Sequence, residues 1–162
     1  MGRPSRSDDE LRELVDKNDN GSIRYEFRMM RHTLAMFHRT DAAEVPLKNA
    51  LEESFLVHVR NLLEFFFPRD DVWDDTIIAS DFYDPPKKWD SKAQAIPRTM
   101  RAARKRLHKL LSHLAYDRKS YLKGWTWKHD ALASEIIELF ERMESVGPRV
   151  SLRQMLDELP GS

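Results

Sequence analysis

Apolar residues recur along most of this chain at intervals of three and four, which is the spacing of one face of an α-helix. The densest instance is ESFLVHVRNLLEFFF at residues 53–67, where most residues are apolar. Few segments alternate apolar and polar residues as a strand would, and the chain has only five Gly. The pattern predicts an all-α protein.

Capping residues and helix breakers divide the pattern into a helical bundle. Four main helices are predicted over about residues 24–39, 43–67, 97–120 and 126–146. Short helices are predicted at both ends, the first capped by Ser7 and the last, ending near Leu159, by a capping box of Ser151 and Gln154. On the first main helix we place Tyr25, Met29, His32 or Thr33, and Met36 on one face.

The remaining segments define the expected domain organisation. Residues 1–6 are expected to be a disordered lead-in, and residues 7–160 a single domain. Residues 69–95 are rich in Asp and aromatic residues, which indicates a long loop packed on the helices.

Composition narrows the class of protein. The 162 residues contain 27 Lys or Arg, 27 Asp or Glu and no Cys. Disulfides and thiolate metal sites are therefore excluded. No apolar run approaches the length of a membrane span, and the N-terminus lacks an apolar signal core. We expect a cytoplasmic protein that has no membrane contact and no cofactor.

One motif near the N-terminus imitates a calcium loop. Asp16, Asn18, Asn20 and Gly21 occupy positions 1, 3, 5 and 6 of the EF-hand pattern, but Phe27 stands where a bidentate carboxylate is needed. We interpret the segment as an Asn-Gly turn between two helices, and we expect neither calcium nor another metal to bind.

The predicted central helix carries polar residues in its middle. At 100° per residue, His58 and Asn61 lie on one face, while Arg60 lies on another, where it can pair with Glu64. Two interpretations are open for His58. It is either a hydrogen-bonded core residue or a group that transfers protons.

The helix over residues 97–120 directs one cation toward the core. Its apolar face consists of Met100, Ala103, Leu107, Leu111 and Leu114. Arg118 continues that face and must find an acceptor, while His113 lies on the flank. We predict that Arg118 joins the polar pair of the central helix, with Asp81 or Asp84 supplying the counter-charge.

The outer face of the same helix is strongly basic. Residues 98–128 contain ten Lys or Arg and one acidic residue. We predict that phosphates contact Arg98, Arg101, Arg104, Lys105 and Lys109, and that Tyr121, Trp125 or Trp127 stacks on bases. The alternative is a solvated helix balanced by the Asp-rich segment or by the acidic helix that follows.

The Arg60-Asn61 pair on a core helix of an all-helical domain resembles the HEPN superfamily. Many of its members are ribonucleases, toxins or nucleotide-binding modules, and two protomers typically form the site. The superfamily motif places a His four to six residues beyond the Asn position, but residues 65–67 here are all Phe. The resemblance therefore implies an inactive site, or one rebuilt with His58 or His113. Over most of residues 44–127, the pattern ESFLVHVRNLLEFF, then SDFYD, then HLAYDR and a Trp is also similar to a group of small bacterial proteins, which implies no particular activity.

Two functions follow from these patterns. The first is a HEPN-like domain that binds RNA or a nucleotide, with metal-independent ribonuclease activity if the site is active. Its catalytic residues would be His58, Arg60, Asn61, His113 and Arg118. The alternative is a non-enzymatic interaction module with a structural polar network, such as a homodimer or a component of a toxin–antitoxin or phage-defence pair.

Overall fold

The computed structural model describes residues 5–17, 19–69, 73–84, 89, 96–112 and 126–158, with the backbone alone for residues 105 and 108–112. Throughout these ranges the regular structure is helical, which confirms the all-α prediction. The helices are α1 (Asp8–Asp16), α2 (Ile23–Arg39), α3 (Val45–Phe66), α4 (Arg98–Ser112), α5 (His129–Ser145) and α6 (Arg153–Asp157). A 3-10 turn spans Ala79–Phe82.

The first two helices begin at side-chain caps. The Ser7 hydroxyl accepts a hydrogen bond from the Glu10 N–H at 3.2 Å, and the Glu10 carboxylate accepts one from the Ser7 N–H at 2.7 Å. The backbone and side-chain hydrogen bonds from Ser7 lower the pKa of Glu10. After a turn in which Gly21 adopts a φ of 100°, Ser22 caps α2. The predicted Ser7 cap and Asn-Gly turn are confirmed.

Helices α2 and α3 form an antiparallel pair, since the start of α2 contacts the end of α3. The buried stripe of α2 consists of Ile23, Phe27, Met30 and Thr33. The predicted face is thus not the buried one: of its residues Thr33 is buried, Tyr25 and Met29 are half-buried, and Met36 is exposed. The observed stripe faces the core because α2 packs on α3 through this side.

Aromatic rings fill the centre of the core. Phe66 packs on Phe140 of α5 with ring centroids 4.6 Å apart and on Trp89 at 5.6 Å. The buried residues of α5 recur at helical spacing and include Leu132, Ile136, Leu139, Phe140 and Met143. Since every described helix contributes to this core, the helices that carry the site are fixed against one another.

Arg149 joins the loop, the N-terminus and the segment after α5. Its guanidinium donates to the Asp8 carboxylate at 2.8 Å and to the carbonyls of Arg6 and Asp81. Arg6, at the end of the lead-in that we expected to be disordered, also donates to the Asp74 carbonyl at 3.0 Å. Residues 1–4 of that lead-in lie outside the described residues.

The loop packs on the helices as predicted, within the parts that are described. Ile78, Phe82 and Trp89 are buried, whereas Trp73 is 80% exposed. The buried Tyr83 hydroxyl donates to the Met143 carbonyl at 2.6 Å. Burial, reinforced by the negative charge of Glu144, raises the pKa of Tyr83.

The last helix begins differently from the prediction. Its N-cap is Leu152, without a side-chain cap, so the predicted capping box of Ser151 and Gln154 is wrong. The Glu144 carboxylate instead accepts hydrogen bonds from the Ser151 hydroxyl and the Leu152 N–H, because α5 ends beside this segment. Arg24 forms an ion pair with Glu158 just after the helix. Among the described helices, none has the length and apolarity needed to cross a membrane.

Candidate nucleic-acid interface

His58 and Asn61 meet on a residue that the sequence did not single out. His58 Nδ1 lies 2.8 Å from Glu26 Oε2, and Asn61 Nδ2 donates to the same oxygen at 3.1 Å. The Tyr25 ring packs edge-on against the His58 ring at 5.8 Å. His58 is 7% exposed, whereas Asn61 lies at the surface. We call Glu26, His58 and Asn61 the Glu26 cluster.

The acidic partner of His58 and Asn61 is Glu26 of α2, and the acidic residues of the loop lie elsewhere. The Asp81 carboxylate accepts a hydrogen bond from the Ile78 N–H at 3.0 Å within the 3-10 turn, and Asp84 is exposed. The counter-charge predicted from Asp81 or Asp84 for Arg118 stays a prediction, because Arg118 lies outside the described residues. Glu26 is the partner of His58 and Asn61 because the antiparallel packing of α2 on α3 sets the start of α2 beside the end of α3.

Arg60 belongs to a different face of α3. Its Nε donates to the Glu64 carboxylate at 3.2 Å, which confirms the predicted pair. The three Phe residues at positions 65–67, where the HEPN motif would place a His, are all buried in the core. His113 and Arg118 lie outside the described residues. Of the five residues predicted to be catalytic, His58 and Asn61 share Glu26 as a partner, and Arg60 pairs with Glu64 on another face. Their catalytic role stays a prediction.

Helix α4 carries the basic face. Its fifteen residues include six Lys or Arg and no acidic residue. Arg98 and Arg101 are exposed, with Arg101 donating to the Ile96 carbonyl at 3.2 Å. Arg104 is half-buried and donates at 2.9 Å to the carbonyl of Phe67, where α3 ends. Arg104 therefore has a structural role that the sequence did not predict. The side chains of Lys105 and Lys109 lie outside the described residues.

A cavity of about 390 Å³ opens between the first turns of α4 and the residues that lead into α5. Its lining consists of Arg98, Thr99, Ala102, Ala103, Trp127, Lys128 and Leu132. Small-molecule sites commonly occupy about 300–1,000 Å³. The cavity combines an apolar floor, an indole ring and two cations. The sequence could not show that residues 127, 128 and 132 lie beside α4, because this depends on how α5 packs.

A carboxylate of α5 accepts hydrogen bonds from the backbone N–H groups at the start of α4. The Glu135 carboxylate accepts hydrogen bonds from the Thr99 N–H at 3.3 Å and the Met100 N–H at 3.0 Å. By contrast, Arg98 and Lys128 form no ion pair within the described part of the chain. Glu135 therefore caps the start of α4 through backbone N–H groups and not through the basic side chains. Neutralisation of the basic face by the acidic helix stays a prediction.

Two His–carboxylate contacts hold the beginning of α5. His129 Nε2 lies 2.7 Å from the Glu52 carboxylate of α3, and the Asp130 carboxylate lies 2.9 Å from His38 Nε2 of α2. These two contacts join the start of α5 to α2 and α3, directly after the cavity-lining residues 127 and 128. In the described ranges, no three His, Asp or Glu side chains are grouped so that they could hold a metal ion.

Comparison with known proteins identifies no relative, so a function can be inferred only from the residues of the site. No protein-family model, curated protein or solved structure matches the chain. The resemblance to the HEPN superfamily remains a prediction from the Arg60-Asn61 pair.

Proposed function

We propose that the protein binds single-stranded RNA or a nucleotide at the cavity beside α4. The observation that carries this proposal is the arrangement of Arg98 and Lys128 around Trp127 in a cavity with an apolar floor. A ligand with a planar base and an attached phosphate fits this cavity, because the base can stack on Trp127 and the phosphate can pair with Arg98 and Lys128. The basic face of α4 would extend the contact along a longer strand.

Charge segregation supports the phosphate part of this proposal. The chain has a formal net charge of zero, yet α4 carries six cations without an acidic residue. Arg98 and Lys128 lack ion-pair partners among the described residues, so binding a phosphate does not require breaking an internal pair there. Neutralising phosphates releases counterions, which makes the affinity fall as salt rises.

Trp127 supports the base part of the proposal. It packs partly on the core and lines the cavity, so its ring is held in place. Stacking of a base on an aromatic side chain contributes about 1–3 kcal/mol without requiring a given sequence. We therefore expect weak discrimination between bases.

The geometry favours binding over cleavage. His58 is oriented through Nδ1 by Glu26, as a proton-transferring His would be, but Arg60 donates to Glu64 on another face. Among the described residues, no Lys or Arg side chain contacts His58 to stabilise a reacting phosphate. We propose that the HEPN-like ribonuclease site is inactive.

The test measures binding of a labelled 12-nucleotide single-stranded RNA by fluorescence anisotropy at several salt concentrations. The variant Arg98→Gln with Lys128→Gln removes two phosphate contacts, and we expect about tenfold weaker binding and a salt slope smaller by about 1.4. The matched control, Arg28→Gln with Arg39→Gln, removes two exposed cations of α2 that do not line the cavity.

Two results would contradict the proposal: equal losses in the two double variants, or wild-type binding that does not respond to salt. The same RNA incubated with protein and a chelator tests for cleavage. Cleavage that disappears in His58→Ala would restore the ribonuclease interpretation.

The Glu26 cluster favours a second candidate, the non-enzymatic interaction module. A His and an Asn from α3 meet one carboxylate of α2, which is an arrangement that fixes the register of two helices. Leu47 and Val57 on α3 are more than two-fifths exposed and could contribute to a homodimer. A protein that depends on His58 for stability and binds no RNA would favour this candidate.

A further inference from the structure

The start of α4 is occupied by a carboxylate from another helix. The first N–H groups of a helix lack partners within the helix and carry a partial positive charge, which attracts anions. The first turn of α4 has no acidic residue of its own. Glu135 of α5 supplies the negative charge by accepting hydrogen bonds from the Thr99 and Met100 N–H groups.

This carboxylate adjoins the cavity that we propose as the binding site. Thr99 is both a lining residue and one of the two amide donors that Glu135 occupies. Leu132, which lies one turn before Glu135 on α5, also lines the cavity. Charges this close to a site are poorly screened by salt, since the Debye length is about 8 Å at physiological ionic strength. Glu135 therefore opposes the attraction that Arg98 and Lys128 exert on a phosphate.

We propose that Glu135 is a specificity-determining residue that acts as an internal anion. It lowers the affinity of the cavity for the phosphate of a ligand and leaves the affinity for the base unchanged. This inference rests on the proposed function. It adds that Glu135 sets how much of the binding affinity comes from the phosphate and how much from the base. Because the same carboxylate caps α4, its removal has opposite effects on stability and on phosphate binding.

Glu135→Gln tests the proposal, because it keeps the shape of the side chain and removes the charge. Adenosine 5′-monophosphate and adenosine are the probes, measured by calorimetry. We expect the monophosphate to bind about fivefold more tightly than to wild type, and adenosine binding to change less than twofold. We expect the melting temperature to fall by about 2–4 °C, since a helix cap is weakened.

The matched control is Glu138→Gln, which removes the same charge from an exposed position one turn further along α5. It should change neither property appreciably. If the effect came only from net charge, both variants would bind the monophosphate more tightly. If Glu135 were only a structural cap, Glu135→Gln would lose both thermal stability and affinity for the monophosphate. Either result would overturn the proposal, as would the absence of measurable monophosphate binding by wild type and by Glu135→Gln.

The outcomes separate this inference from the proposed function. If wild-type protein binds no RNA but Glu135→Gln binds the monophosphate more tightly than wild type, the RNA-binding part of the proposed function fails and the role of Glu135 stands. If wild type binds RNA in a salt-dependent manner and the variant gains no affinity for the monophosphate, the role of Glu135 fails and the proposed function stands.

Discussion

The Glu26 cluster and the cavity beside α4 place polar side chains among apolar ones in opposite ways. In the cluster, a carboxylate, an imidazole and an amide satisfy one another between α2 and α3. In the cavity, Arg98 and Lys128 surround an indole and form no ion pair within the described residues. The first arrangement uses its hydrogen-bonding capacity internally, whereas the second leaves two cations without an ion pair in the described part of the chain.

The contrast shows why a buried polar residue is a weak indicator of function. His58 was the most conspicuous residue of its helix in sequence, because a buried imidazole must be satisfied. The structure satisfies it with Glu26 and thereby explains its presence without chemistry. Arg98 was one of many cations in sequence, and it gains importance because α5 brings Trp127 and Lys128 to it.

The largest expected effect comes from His58→Leu. The substitution leaves the mostly buried Glu26 carboxylate with fewer donors, so we expect the free energy of unfolding to fall by about 3 kcal/mol in urea denaturation. RNA affinity of the folded variant should stay within twofold of wild type. His32→Leu is the control, because His32 is exposed on α2 and should change stability by less than about 0.5 kcal/mol.

Loss of RNA binding by His58→Leu at unchanged stability would show that RNA binds at the Glu26 cluster and not at the cavity. The cluster would then be the functional region of the two.

Trp127→Ala comes next. Removing the stacking surface should weaken RNA binding by about 2 kcal/mol, a factor of about thirty, measured by fluorescence anisotropy. Trp127→Phe should retain most of the affinity, which separates stacking from misfolding of the partly buried wall. Trp73→Ala removes an indole that is 80% exposed in the loop and should leave the affinity unchanged. Equal losses in Trp73→Ala and Trp127→Ala would show that the cavity is not the stacking site.

The smallest effect is expected for Asn61→Ala. Its hydrogen bond to Glu26 lies at the surface, so we expect the free energy of unfolding to fall by about 1 kcal/mol by urea denaturation. Asn49→Ala, at an exposed position on the same helix, controls for the better helix propensity of Ala. A loss in Asn61→Ala as large as that in His58→Leu would mean that the cluster acts as one unit, and it would sharpen the contrast with the open cavity.

Much of the fold was predictable because its signals are local. Ser7 caps α1, Gly21 lies in the turn before α2, and the inward stripe of α5 follows from its spacing. The pairing of Arg60 with Glu64 also follows from positions within one helix. The face predicted on α2 is not the buried one, because the helix carries two apolar stripes, and only packing against α3 selects between them.

The candidate site was predictable only in its parts. Sequence alone determined the helical class, the basic character of α4 and the need of His58 and Asn61 for a partner. Tertiary structure decided that this partner is Glu26, that Glu135 neutralises the start of α4, and that Trp127 and Lys128 lie beside Arg98. The physical reason is that helical periodicity fixes which side chains share a face, whereas contacts between helices depend on the register that packing of the whole core selects.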